Sequence, residues 1–178
     1  MASGSANRVV RVDDLIKRGS AAGVRDELSE ALAAGEDSAS WIVYQIGKHG
    51  FRDAAPLVVG ILQHPQPHLR RRAAHVLGML KDPNATEALM SSALGDRDLA
   101  TACWAADSLG EIGSPEAVQA LISTLKRPEG RVRRAAAASL ARLGAREAVD
   151  SLIAAREGSN WVTRRALDKA LATLERVN

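Results

Sequence analysis

The sequence contains few aromatic residues and no long apolar run. Aromatic residues make up 3% of the 178 residues although 46% of the chain is hydrophobic, so the apolar content is mostly alanine, leucine, valine and isoleucine. This composition favours thin layers of closely packed helices over a core built on large rings. The longest apolar stretch, residues 54–62, is far too short to cross a bilayer.

Cysteine is nearly absent as well, and the charge of the chain is almost balanced. Cys103 is the only cysteine, which excludes an intramolecular disulfide and fits a reducing compartment. Residues 1–6 are small and polar and contain no hydrophobic signal region, so we expect a cytoplasmic protein. A net charge of +3 permits an anionic partner without requiring one.

An internal repeat dominates the rest of the sequence. Small residues recur at spacings of 31, 32, 31 and 31 in one column, which holds Gly47, Gly78, Gly110, Ala141 and Ala172. A second column places apolar residues at Val58, Leu89, Leu121 and Leu152. So many aligned columns indicate a repeat architecture, in which each unit buries its apolar face only by stacking on its neighbours.

Each unit divides into two helices. In the last complete unit, apolar residues fall at helical spacing from Val132 to Leu143. Gly113 and Gly144 are placed to end helices in the left-handed conformation. Ser114 followed by Pro115 then supplies an N-cap and a proline at the first helical position.

The pattern predicts an all-α fold, a right-handed α-solenoid of about eleven helices arranged in antiparallel hairpins. We expect a flexible tail over 1–11 and a single solenoid domain over 12–178. Within the solenoid we place a divergent unit at 12–37, four repeats over 38–160, and a capping helix at 161–176. The first helix of each hairpin is expected on the convex side and the second on the concave side.

The units resemble HEAT repeats, in particular the short class found in phycobilisome lyase subunits and bacterial scaffold proteins. The clearest copy begins at Val132 and reads VRRAAAASLARLGAREAVDSLIAA, and the resemblance covers about residues 38–174. It implies the solenoid fold. It does not fix one function, because this repeat serves many roles.

The concave face is the usual binding surface of such stacks. The second-helix positions that point away from the core are predicted to contact a partner peptide or helix. They are Asp53, Pro56, Gly60, Glu87, Ser91, Gln119, Ser123, Asp150 and Ala154. The residues Gly60, Ser91, Ser123 and Ala154 are small, so they would let a partner approach closely or would simply permit tight curvature.

Arginines cluster near the starts of three first helices and form candidate anion contacts: Arg70, Arg71, Arg133, Arg134, Arg164 and Arg165. They could form a basic stripe for phosphate or for an acidic partner. Alternatively, they pair with acids such as Asp98 in the turns between repeats. The low net charge and the shortage of aromatics for base stacking favour this second interpretation and argue against nucleic acid as a partner.

Trp41 and Trp104 share a repeat column that holds alanine in later units, which predicts that they are large core fillers. Trp161 is predicted to pack in the C-terminal cap, His49 to pack in an apolar column, and Cys103 to be an inert thiol. The sequence contains no phosphate-binding loop, nucleophile elbow, zinc signature or paired catalytic carboxylates. We therefore expect no enzyme activity, no cofactor and no metal.

These observations predict a non-catalytic scaffold or adaptor that binds another protein in its concave groove, as a monomer or weak homo-oligomer away from membranes. Two alternatives stay open. The resemblance to bilin-lyase subunits allows a role in chromophore attachment, and HEAT-like repeats also occur in nucleic-acid-binding proteins.

Overall fold

The computed structural model describes residues 2–35 and 38–176, with side chains from Arg8 onward. These residues form eleven α-helices joined by short turns, and no strand occurs among them. The all-α solenoid class predicted from the sequence, built of HEAT-like helical hairpins, is confirmed. The chain divides into two compact units, 1–85 and 86–178, and the single solenoid domain over 12–178 stays a prediction.

The first unit contains five α-helices in its described residues: α1 (Ala2–Lys17), α2 (Ala21–Ala33), α3 (Ser38–Lys48), α4 (Ala55–Ile61) and α5 (Pro67–Leu80). Short 3₁₀ turns at Arg52–Ala54 and Pro83–Ala85 complete it. Helix α3 packs on α1, α2 and α5, and α4 packs on α5. The first helices thus form one layer, held together by buried aliphatic side chains such as Val12, Ile42 and Leu77.

The second unit contains six α-helices in its described part: α6 (Thr86–Gly95), α7 (Leu99–Ile112), α8 (Pro115–Thr124), α9 (Gly130–Leu143), α10 (Val149–Arg156) and α11 (Trp161–Arg176). A 3₁₀ turn at Arg146–Ala148 precedes α10. Helices α7, α9 and α11 stack side by side as one layer. Helices α6 and α8 form a second layer, which packs against the first. Leu109, Leu121 and Leu140 are fully buried between the layers.

Left-handed residues end the first helices, as the sequence predicts for two of them. Gly113 and Gly144 have φ angles of +67° and +68°. Lys81 occupies the same repeat position after α5 and also adopts the left-handed conformation, at φ +50°. A non-glycine residue there carries about 1 kcal/mol of strain. The repeat therefore keeps its turn geometry at Lys81, although the glycine that indicates this turn in the sequence is absent.

The first helix includes residues of the segment 1–11, for which the sequence predicts a flexible tail. Helix α1 begins at Ala2, and the Arg8 guanidinium contacts the Glu27 carboxylate at 3.2 Å. Arg11 contacts the same carboxylate at 3.0 Å. These ion pairs join α1 to α2, and a search for hydrophobic periodicity does not detect them because both partners are charged.

Candidate functional site

In the first unit, the predicted contact residues lie at the start of the second helix and along it. Asp53 belongs to the 3₁₀ turn before α4, and Pro56 and Gly60 lie on α4 itself. All three are exposed. A Cβ atom added at Gly60 would meet no atom within 4 Å, so this position faces open space.

In the second unit, three second helices present the remaining residues. Glu87 and Ser91 lie on α6, Gln119 and Ser123 on α8, and Asp150 and Ala154 on α10. Ser123 is half-buried and the other five are exposed. Each pair flanks a fully buried leucine on its own helix (Leu89, Leu121 or Leu152), so these residues turn away from the core. This surface of α6, α8 and α10 is called the second-helix face below.

A shallow cavity of about 270 Å³ opens where α8, α9 and α10 meet. Its apolar wall consists of Ile122, Leu125, Ala154 and Ala155, and its polar rim consists of Lys126, Arg133, Ser151 and Glu157. Only Ala154 belongs to the predicted contact set. Arg133 is among the candidate anion contacts, and the sequence does not indicate the other six lining residues. They lie where neighbouring helices meet, and the apolar period of a single helix does not reveal such a junction.

The candidate anion-binding arginines are mostly engaged within the fold. Arg70 donates to the carbonyl oxygens of His64 and Pro65 at 2.9 and 3.0 Å. Arg133 donates to the Arg127 carbonyl at 3.0 Å and to the Ser159 hydroxyl at 3.2 Å. Both therefore hold the turn that precedes their own helix.

Two further arginines donate hydrogen bonds to groups near the turn between α10 and α11. Arg134 donates to the Thr163 hydroxyl at 3.3 Å, and Arg164 donates to the Ser159 carbonyl at 3.4 Å. Arg71 is half-buried, and Arg165 is exposed on α11. Pairing of these arginines with acids such as Asp98 stays a prediction. The partners described above are carbonyls and hydroxyls, and the Asp98 carboxylate caps α7 by accepting from the Thr101 amide.

The tryptophans are more exposed than predicted. Trp104 is 41% exposed and Trp161 is 74% exposed, so neither fills a core. Trp41 is half-buried and His49 is exposed, with its Nε2 3.8 Å from the Asp13 carboxylate. The prediction for Trp104 is wrong because alanine in the matching positions of later repeats does not indicate burial. Those alanines, Ala135 and Ala166, are only half-buried.

Two titratable groups lie close together on α7. Burial raises the pKa of the Cys103 thiol, which lowers the thiolate fraction and the reactivity of this residue at neutral pH. Burial also raises the pKa of the Asp107 carboxyl, while the Arg142 guanidinium opposes this shift. Glu111 is engaged by Arg142 at 3.2 Å.

Neither a metal-binding cluster nor a membrane span was found in the described ranges. No group of three or more His, Cys, Asp or Glu side chains there is arranged to hold an ion. No helix in the described part of the chain has the length and apolarity needed to span a bilayer.

Comparison with known proteins agrees with the repeat architecture. Residues 25–100 and 88–172 match the sequence profile of HEAT repeats. A search of curated proteins found no match. Among solved structures, the CpcE–CpcF complex of phycocyanin lyase from Nostoc sp. PCC7120 contains a chain that is 25% identical. That similarity has a TM-score of 0.56 and covers 98% of this chain and 73% of the other.

A designed armadillo repeat protein in complex with the peptide (KR)4 is similar in fold. It is 15% identical, with a TM-score of 0.60, over 92% of this chain and 85% of the other. At that identity the similarity bears on the fold alone. Because the HEAT profile spans well over half of the residues, the chain belongs to the HEAT-repeat family.

Proposed function

We propose that the chain is a non-catalytic interaction scaffold that binds a peptide or helix of a partner protein on the second-helix face. The observation that carries this proposal is the cavity between α8, α9 and α10. The exposed Ala154 lines it, and its helices α8 and α10 also carry the exposed residues Gln119 and Asp150, so the apolar recess and the polar side chains belong to the same two helices. This combination is typical of a peptide-binding groove.

The chemistry of this face indicates how a partner is held. Glu87, Gln119 and Asp150 supply carboxylate and amide oxygens that accept hydrogen bonds from amides or cationic side chains. Ser91 and Ala154 are small, so a partner backbone approaches the helices closely. The cavity has room for an aliphatic side chain, which would anchor the segment and fix its register.

A structural neighbour supports protein as the partner class. The phycocyanin lyase chain, 25% identical to this one, is found in a complex with a second protein. The acidic row of Glu87 and Asp150 favours a partner segment with positive charge. We place the scaffold in the cytoplasm, as a monomer or weak homo-oligomer.

A role as a lyase-type subunit is the second candidate, because the similarity to the phycocyanin lyase chain extends over almost the whole of this chain. Nucleic-acid binding is less favoured. Arg70, Arg133 and Arg164 are occupied by turn carbonyls, so they offer few free donors to a phosphate backbone.

Site-specific photo-crosslinking in the native host tests the proposal. A benzophenone amino acid at position 154 is expected to capture a partner protein, because Ala154 is exposed and lines the cavity. The matched control is position 138, where Ala138 is equally small and exposed but lies on the first helix α9. The crosslinked bands are identified by mass spectrometry.

The outcomes of this experiment separate the candidates. A partner captured at 154 and not at 138 supports the scaffold. If that partner is a chromophore-carrying protein, the lyase-subunit function replaces the scaffold as the preferred one. Equal capture at both positions, or capture at 138 alone, contradicts the proposed face.

A further inference from the structure

The first unit carries a second surface, formed by the outward sides of α3 and α5. These two helices contact each other. Together they contain four basic residues, Lys48, Arg70, Arg71 and Arg72, and no aspartate or glutamate. Ion pairs between arginines and acids occur elsewhere in the described chain, as in the Arg18–Asp14 and Arg142–Glu111 pairs. The charged side chains of α3 and α5 are all basic, which gives this surface a positive charge.

The contacts between the two helices place an aromatic ring and a guanidinium side by side. The Arg72 Cζ atom lies 5.2 Å from the centre of the Tyr44 ring, and the Arg72 Nε donates to the Ser40 hydroxyl at 3.3 Å. These two contacts fix the orientation of the guanidinium. Its terminal nitrogens have no described partner, so they remain as a forked donor.

Apolar groups surround this donor. Tyr44 is 37% exposed and Met79 is 39% exposed. A Cβ atom added at Gly47 would come 3.2 Å from the Met79 sulfur, which places this methionine against α3. Burial lowers the pKa of His75, with the nearby Arg72 charge adding to the effect, so His75 is neutral at physiological pH. The surface thus combines an aromatic edge, a thioether and oriented positive charge.

From these contacts we infer that the outward face of α3 and α5, called the basic–aromatic face, docks an acidic amphipathic helix of a partner protein. Carboxylates of that helix would pair with Arg72 and Lys48, while its apolar residues would cover Tyr44 and Met79. Tyrosine, methionine and arginine are the residue types enriched in protein interfaces. This surface is distinct from the second-helix face and does not depend on the function proposed there.

A folded acidic helix fits better than a nucleic acid. The guanidinium plane of Arg72 already lies against Tyr44, so neither group is free to stack on a base on that side. Arg70 is held by the carbonyls of His64 and Pro65, which leaves few cations for a phosphate chain. A helix with one apolar stripe and flanking carboxylates matches both the charge and the apolar patch.

Fluorescence anisotropy with a labelled synthetic peptide tests this inference on the whole protein. The probe is an amphipathic helix of leucine and glutamate, and its matched control replaces every glutamate by lysine. We expect the glutamate peptide to bind and the lysine peptide to bind at least about tenfold more weakly. Arg72→Glu and Tyr44→Ala are each expected to weaken binding of the glutamate peptide by about tenfold.

Two controls make the result specific. Arg165→Glu reverses an exposed arginine on α11, in the other compact unit, and is expected to change affinity less than about twofold. Thermal melting by circular dichroism shows that the variants fold. Equal binding of both peptides, or binding that Arg72→Glu leaves unchanged, overturns the inference. Tighter binding of oligo-dT than of the glutamate peptide, with a steep salt dependence lost in Arg72→Glu, overturns it in favour of nucleic acid.

Discussion

Replacing Arg127 by alanine is expected to lower the free energy of unfolding by about 3 kcal/mol. The Arg127 guanidinium donates to the carbonyl oxygens of Leu94 and Asp96, and its Nε donates to the Glu129 carboxylate at 2.7 Å. Its side chain is only 11% exposed. Removing the Arg127 side chain leaves the carbonyls of the turn after α6 without their donor. The loss of the Glu129 contact also frees the turn that leads into α9.

Urea denaturation measures this loss, followed by tryptophan fluorescence in a Trp41→Phe background, so that the signal comes from Trp104 and Trp161 in the second unit. Arg127→Lys keeps the charge but cannot bridge two carbonyls and a carboxylate at once, so we expect it to lose most of the same stability. Arg97→Ala, at an exposed arginine in the same turn region, is expected to change stability by less than about 0.5 kcal/mol. A loss below about 1 kcal/mol for Arg127→Ala would show that the turns hold without this residue.

Replacing Gly110 by alanine is expected to cost about 2 kcal/mol, although alanine is the better helix former. A Cβ atom at this position would lie 2.6 Å from the Cβ of Ser139 and 2.7 Å from a terminal nitrogen of Arg142. Helices α7 and α9 therefore approach each other most closely through the missing side chain. A methyl group there forces the two helices apart or displaces Ser139.

A matched pair of variants separates crowding from helix propensity. Gly60 also lies within a helix but has open space around it, so Gly60→Ala is expected to gain about 0.5 kcal/mol. The double variant Gly110→Ala with Ser139→Gly removes the clashing Cβ atom and is expected to recover part of the loss, which a double-mutant cycle in thermal unfolding measures. Similar stability changes for Gly110→Ala and Gly60→Ala would contradict the close approach.

The sequence predicts the repeated part of the fold well, because several independent signals coincide there. Leucine and alanine at helical spacing, Gly113 in the left-handed conformation, and Ser114 before Pro115 all act over a few residues. The structure reproduces each of them. Lys81 shows the limit of this approach, since its left-handed conformation is imposed by the fold and not by its own preference.

Interactions between distant residues account for the differences. The helical period separates the buried side of a helix from its exposed side, but it does not tell which exposed residues meet those of the next helix. For this reason the sequence does not predict the cavity beside Ala154. The carbonyl partners of Arg133 depend on turn conformations that the sequence alone does not specify.

The two proposed surfaces differ in how far the sequence anticipates them. The exposure of Glu87, Gln119 and Asp150 follows from their place two residues before a buried leucine. The basic–aromatic face needed the structure, because the contact between Tyr44 and Arg72 joins residues from consecutive repeats. Repeat columns align equivalent residues, whereas this surface is built from non-equivalent ones.

The central claim is that the second-helix face binds a protein partner, and the affinity of that partner for three variants tests it most directly. Calorimetry with the segment identified by crosslinking is expected to give about tenfold weaker binding for Glu87→Lys and for Ala154→Trp, which fills the cavity. Glu175→Lys makes the same charge change on α11 and is expected to leave the affinity within about twofold. Unchanged affinity in all three variants would contradict the assignment of this face.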